Sequence, residues 1–106
     1  ELIQRGEGVY AKNCVACHQT DGLGLPPVFP ALNGSDIVLN NKVRNIEILM
    51  EGVQGAAMQS FGNQLSEVDI ASVITYTRRS WGNNKNGDGE IVEPKEIVGY
   101  KNRVEL

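Results

Sequence analysis

Both cysteines and the single histidine of the chain fall in one run, Cys14-Val15-Ala16-Cys17-His18. A Cys-x-x-Cys-His run sets two thiols three positions apart on a turn, where each can add across one vinyl group of the same porphyrin. The imidazole of the next residue then faces the iron. The spacing points to covalent haem attachment through Cys14 and Cys17, with His18 as the proximal ligand. Rival chemistries fit less well. A structural zinc site needs about four Cys or His ligands, more than the chain contains. A thioredoxin-like pair wants a strand–helix–strand setting, and no strand pattern flanks Cys14. A plain disulfide leaves His18 without a role.

The ligand opposite His18 decides what such an iron does. An open position allows catalysis or gas binding, whereas a second protein ligand makes an electron carrier. With no other histidine, the candidates are Met50 and Met58. Met50 lies on the apolar stripe of a predicted helix, as ordinary core filling does. Met58 lies in Gly55-Ala56-Ala57-Met58-Gln59-Ser60, whose small residues can approach a flat macrocycle, and it is the expected axial ligand. Methionine opposite histidine raises the reduction potential of a haem. The other ring nitrogen of His18 needs a carbonyl acceptor to fix its tautomer. Pro26, Pro27 and Pro30 are the candidates, since fixed φ presents their carbonyls rigidly.

The elements that must position these groups are mostly helical. Leu2, Gly6, Tyr10 and Cys14 recur every four residues, which predicts a helix over 2–14. A glycine inside it costs about 1 kcal/mol, so Gly6 is expected where another helix crosses closely, with Tyr10 beside it. Glycines and prolines make 18–36 a loop. Val43, Ile46, Leu49 and Met50 predict a helix over 40–51, ended by Gly52, and 52–64 reads as loop. Ser66 is a good N-cap, with Leu65 and Ile70 as a hydrophobic staple. Ile70, Val73, Ile74, Thr77 and Trp81 form the buried stripe of the helix that follows, with Gly82 as its stop. A polar, turn-rich stretch and a short tail complete the chain. The reading is one all-α domain, with a haem-binding core over 1–81 and a turn and tail over 82–106 packed on or near it.

Composition agrees. The chain has 106 residues, 41% of them hydrophobic but only 6% aromatic, a thin supply for a core; a porphyrin would provide the missing apolar bulk. A net charge of −3 without a basic run excludes a nucleic-acid footprint. No stretch approaches the roughly 20 apolar residues of a membrane span. No leader pattern opens the chain at Glu1-Leu2-Ile3, as expected of a cytosolic protein, a processed chain or an excised domain.

The chain resembles class I cytochromes c over residues 1–81. The resemblance rests on Gly6-x-x-x-Tyr10, the Cys14–His18 attachment run, the loop Pro30-Ala31-Leu32-Asn33-Gly34 and a last helix carrying Tyr76. It implies three main helices and long loops around one haem c, Tyr76 packing near Gly6, and Pro30 as the carbonyl that accepts from His18. The stretches VFPALNGSDIV and MQSFGNQLSEVDIASVITYTRRSWGNN, with the tail around Val92-Glu93-Pro94, are similar to the C-terminal cytochrome domain of bacterial caa3-type cytochrome c oxidase subunit II. That similarity implies a periplasmic domain, tied to the membrane through its parent subunit. It would relay electrons from an upstream donor to a copper-A centre and have no substrate site of its own. A freestanding periplasmic shuttle is the alternative, and an open-iron enzyme or gas sensor a more distant one. Val15, Ala16, Ala57 and Phe61 are expected around the exposed haem edge, and Asn41, Arg44 and Trp81 are candidate contacts for the haem carboxylates. The run from Asn84 to Ile91 resembles half a calcium loop, but Lys95 stands where a bidentate Glu is required, so a surface turn is expected.

Overall fold

The computed structural model describes residues 2–104. Its helices are α1 (Leu2–Asn13), α2 (Val15–His18), α3 (Asp36–Asn40), α4 (Lys42–Glu51), α5 (Glu67–Arg79), α6 (Asn83–Asn86) and α7 (Pro94–Val104). Among the described residues the only β pairing is an isolated bridge between Leu25 and Phe29.

Helix α5 is the axis of the fold. Ser66 caps it by accepting from Asp69 N at 3.1 Å, and Glu67 and Asp69 meet the positive end of its dipole. Helices pack on it from several sides, so Ser72, Thr75, Thr77 and Arg78 are buried along with Ile70, Ala71, Val73 and Ile74. The first side is α1, which crosses at Gly6: a Cβ there would lie 2.1 Å from the carbonyl oxygen of Ser72 and 2.7 Å from Cβ of Tyr76. Beside the crossing, the rings of Tyr10 and Tyr76 are 5.5 Å apart, and Trp81 meets both edge-on.

Trp81 reaches that cluster because α5 ends earlier than the sequence predicts. Ser80 leaves the helix in extended backbone at φ −94° and ψ 163°, and its hydroxyl donates to Tyr76 O at 2.5 Å. Trp81 then takes a left-handed φ of 57° and swings its indole over Gly22, where any Cβ would lie 2.6 Å from the ring. The indole N–H donates to Thr20 O at 2.9 Å. Gly82 therefore follows the turn instead of ending the helix.

Two further helices differ from the sequence reading. Short α3 precedes α4, with Ser35 and Asn41 as their respective N-caps. Where the sequence predicts only a tail, α7 forms and buries Ile97 and Tyr100, with Val92 just before it, in the same core as Val9, Ile46 and Met50. Thr75 Oγ1 fastens this segment, donating to Val92 O at 3.0 Å and accepting from Val92 N at 2.9 Å. The signal was present in Glu93-Pro94-Lys95-Glu96: proline suits the first helical position, and Glu96 accepts from Glu93 N at 2.9 Å as in a capping box.

Candidate functional site

The last turn of α1 runs into the cysteines. Cys14 N still bonds to Tyr10 O at 2.9 Å, but Cys14 itself departs to φ −123° and ψ −28°. A new turn starts there, with Cys17 N and His18 N both reaching Cys14 O, at 3.2 and 2.8 Å. Residues three apart on such a turn share a face, so Cys14 and Cys17 present their sulfurs together. Burial, with the Cys17 thiol as the lesser cause, pushes the Cys14 thiol up to about 11. That is the reverse of a redox-active pair, whose attacking thiol is depressed.

The chain then reverses at Gln19, whose φ is 68° and whose carbonyl accepts from the Tyr10 hydroxyl at 2.6 Å. Burial pushes that phenol well above its ordinary value and keeps it a donor. Gly24 N bonds to His18 O at 2.9 Å, and Leu32 N and Asn33 N both bond to Gly22 O. These bonds fold the 19–34 loop back across the histidine, with Pro30 O 3.0 Å from His18 Nδ1. A carbonyl can only accept, so Nδ1 carries a proton, and Nε2 is the ring nitrogen not taken by this contact.

A facing wall is built from the end of α4. Gly52 caps that helix at φ 73°, with its N–H on Ile48 O. The following loop is fastened by Val53 N to Met58 O at 3.0 Å and Phe61 N to Leu49 O at 2.8 Å, and by Ser60 Oγ to Met50 O at 2.7 Å. Helices α3 and α4 pack on α5, and neither packs on α1 or α2 among the described residues. The gap between them is a cavity whose lining is overwhelmingly apolar. Cys14, Cys17, His18, Pro30 and Met58 all line it. Met50 does not: it is 8% exposed and belongs to the core.

Some expected neighbours stand elsewhere. Phe61 is buried at 4% exposure and lines the cavity from inside, because its N–H bond to Leu49 turns it inward, so it is no part of an exposed rim. Ala16 and Ala57 are exposed, and Val15 is half-buried against the core. None of the three residues expected near the haem carboxylates lines the cavity. Asn41 Oδ1 caps α4 by accepting from Arg44 N, Arg44 pairs with Glu47, and Trp81 is held at Thr20. Asn45, which the sequence reading missed, does line it. Its signal was a polar side chain one turn before Leu49 on the inward face of α4.

An apolar cavity lined by two cysteines of one turn, a histidine held through Nδ1 and a methionine thioether fits a haem. The helix order and the Gly6 crossing are those of class I cytochromes c. The sequence matches the family model described as cytochrome c oxidase, cbb3-type, subunit III, over residues 1–76, and the chain belongs to this family of cytochromes c. It is 34% identical over 98 residues to cytochrome c-552 of Thermus thermophilus, a match covering 79% of this chain and 73% of that protein. It is 33% identical over 92 residues to the cytochrome c subunit of the quinone-dependent alcohol dehydrogenase of Gluconobacter oxydans, covering 77% of this chain and 19% of that subunit. The chain thus spans only about a fifth of the length of its dehydrogenase relatives. Cytochrome cL from Hyphomicrobium denitrificans shares the fold at a TM-score of 0.54 and 21% identity, over 92% of this chain and 64% of that one. The chain is an electron-transfer cytochrome c, with one haem c held covalently through Cys14 and Cys17.

Proposed function

We propose that His18 and Met58 bind the haem iron from opposite faces and that Pro30 holds the His18 imidazole in its iron-binding tautomer. A six-coordinate haem exchanges single electrons without a substrate site. The observation that carries this reading is the pairing of a histidine whose Nδ1 is engaged by Pro30 O with a half-buried methionine lining the same cavity. The fastening of the 53–62 loop onto α4 would keep the thioether in place through the redox cycle. Replacement of Met58 by Ala should abolish the weak long-wavelength band that iron–methionine bonding gives an oxidised haem; a variant that keeps the band would refute the ligand assignment.

The proposed acceptor is the copper-A centre of a terminal oxidase, with this chain as a periplasmic domain of that oxidase fed by an upstream donor. Support comes from the resemblance of the 58–84 stretch to oxidase subunit II cytochrome domains and from the oxidase wording of the family that the chain matches. A freestanding shuttle is the second reading, favoured by the match to most of the length of the Thermus cytochrome. Stopped-flow mixing of the reduced protein with an isolated copper-A domain should oxidise the haem rapidly. Negligible transfer would remove copper-A as acceptor and leave the shuttle reading.

A further inference from the structure

Asn45 Nδ2 is the one buried side-chain nitrogen or oxygen among the described residues that has no hydrogen-bond partner. The residue is 5% exposed and lines the cavity. A buried donor left unpaired forfeits its bond to water with nothing in return, so such a group is expected to meet an acceptor in the working protein. Two other polar side chains of the cavity lining are engaged: Thr77 Oγ1 donates to Ile74 O, and Ser35 Oγ accepts from Val38 N.

The acceptor follows from how the haem must lie. Its pyrrole nitrogens are taken by iron, and a thioether sulfur is a weak acceptor; its strong acceptors are the two propionate carboxylates, on the edge opposite the vinyl groups. Cys14 and Cys17 fix the vinyl edge at α2. Helix α4, carrying Asn45, packs on α3, α5 and α7 and, among the described residues, not on α1 or α2, so Asn45 lines the cavity from a wall other than the one that holds the cysteines. We infer that Asn45 donates its side-chain amide to a haem propionate, making it a positioning residue that holds one carboxylate in a largely apolar slot. This rests on the haem reading and deepens it. A hydrogen bond to an anion is roughly twice as strong as a neutral one. It offsets part of the carboxylate's negative charge, which would otherwise favour the ferric state.

The test starts with the unmutated, nitrogen-15-labelled protein carrying its haem, in the reduced, diamagnetic state. Mass spectrometry showing polypeptide plus one haem secures the underlying reading first; bare polypeptide would refute that reading. With haem present, the Asn45 side-chain amide protons should show nuclear Overhauser contacts to propionate methylene protons. Contacts only to the Met58 methyl group, or to no haem proton, would overturn the inference. Asn45→Leu should keep the His/Met optical spectrum, lower the reduction potential where the carboxylates are ionised, and shift the haem-carboxylate band in the reduced-minus-oxidised infrared spectrum. A variant matching the parent in both potential and infrared band would equally overturn it.

Discussion

Arg78 is 1% exposed, and a full charge that deep must be answered by acceptors on all sides. Its Nε donates to Glu90 O at 3.0 Å, one terminal nitrogen donates to Val38 O at 3.1 Å, and the other meets the Asp88 carboxylate. One side chain thereby ties α5 to α3 and to the turn after α6. This explains the oxygen-rich run from Asn84: Asp88 serves the guanidinium and also accepts from Glu90 N at 2.9 Å. The sequence made Arg78 legible only as a cation near a helix end, because its acceptors lie 10 to 40 residues away. The hydrogen bond from Arg78, then that from Glu90 N, holds the Asp88 carboxyl below its ordinary range. A carboxyl depressed in the folded state contributes stability above its unfolded pKa of about 4, and that contribution is lost as pH falls through the folded value. Asp88→Asn should therefore cost about 1–2 kcal/mol at neutral pH, discounted for the partly exposed carboxylate. The gap between variant and parent, read from urea midpoints, should narrow below about pH 4. An unchanged gap in acid would mean that Asp88 acts through shape and not charge.

At the scale of elements, the crossing of α1 and α5 depends on one missing side chain. The atom that a Cβ at Gly6 would strike is a backbone oxygen, 2.1 Å away, which cannot rotate aside; the helices would have to part. Gly6→Ala should lower stability by about 1–3 kcal/mol through overpacking, even though alanine is the better helix former by about 1 kcal/mol. Gly8 is two residues along the same helix with nothing within 4 Å of its would-be Cβ, so Gly8→Ala should raise the thermal midpoint where Gly6→Ala lowers it. Equal shifts from the two would show that the crossing is loose. This part of the fold was readable because Leu2, Gly6 and Tyr10 repeat locally with the helical period. The end of α5 was not, since Trp81 leaves the helix for partners at Gly22, Thr20 and Tyr10, none of them near it in sequence. The C-terminal helix had its proline and Glu96 in plain view, but its short apolar pattern becomes persuasive only once Thr75 and Val92 are known to meet.

Across the whole molecule, the thin supply of aromatic and large apolar side chains is matched by an apolar cavity among the helices, and the attachment run told where the haem is anchored. What local patterns could not give is the division of labour around the cleft. Helices α1, α5 and α7 share a side-chain core that also takes in Ile46 and Met50 of α4. The 19–34 loop, α3 and the 53–61 loop instead line the cavity with Pro30, Val38 and Met58, so on the proposed ligation their packing partner would be the haem. A chain unable to attach haem, with Cys14 and Cys17 both replaced by Ala, should consequently soften unevenly. Hydrogen exchange should stay slow along α1, α5 and α7, become faster in α4, and be fast in α3 and the two loops. Local openings of this kind draw on regions with few buried apolar contacts of their own. Uniform loss of protection, with α5 exchanging as fast as α3, would show instead that the haem supports the whole chain as one cooperative unit.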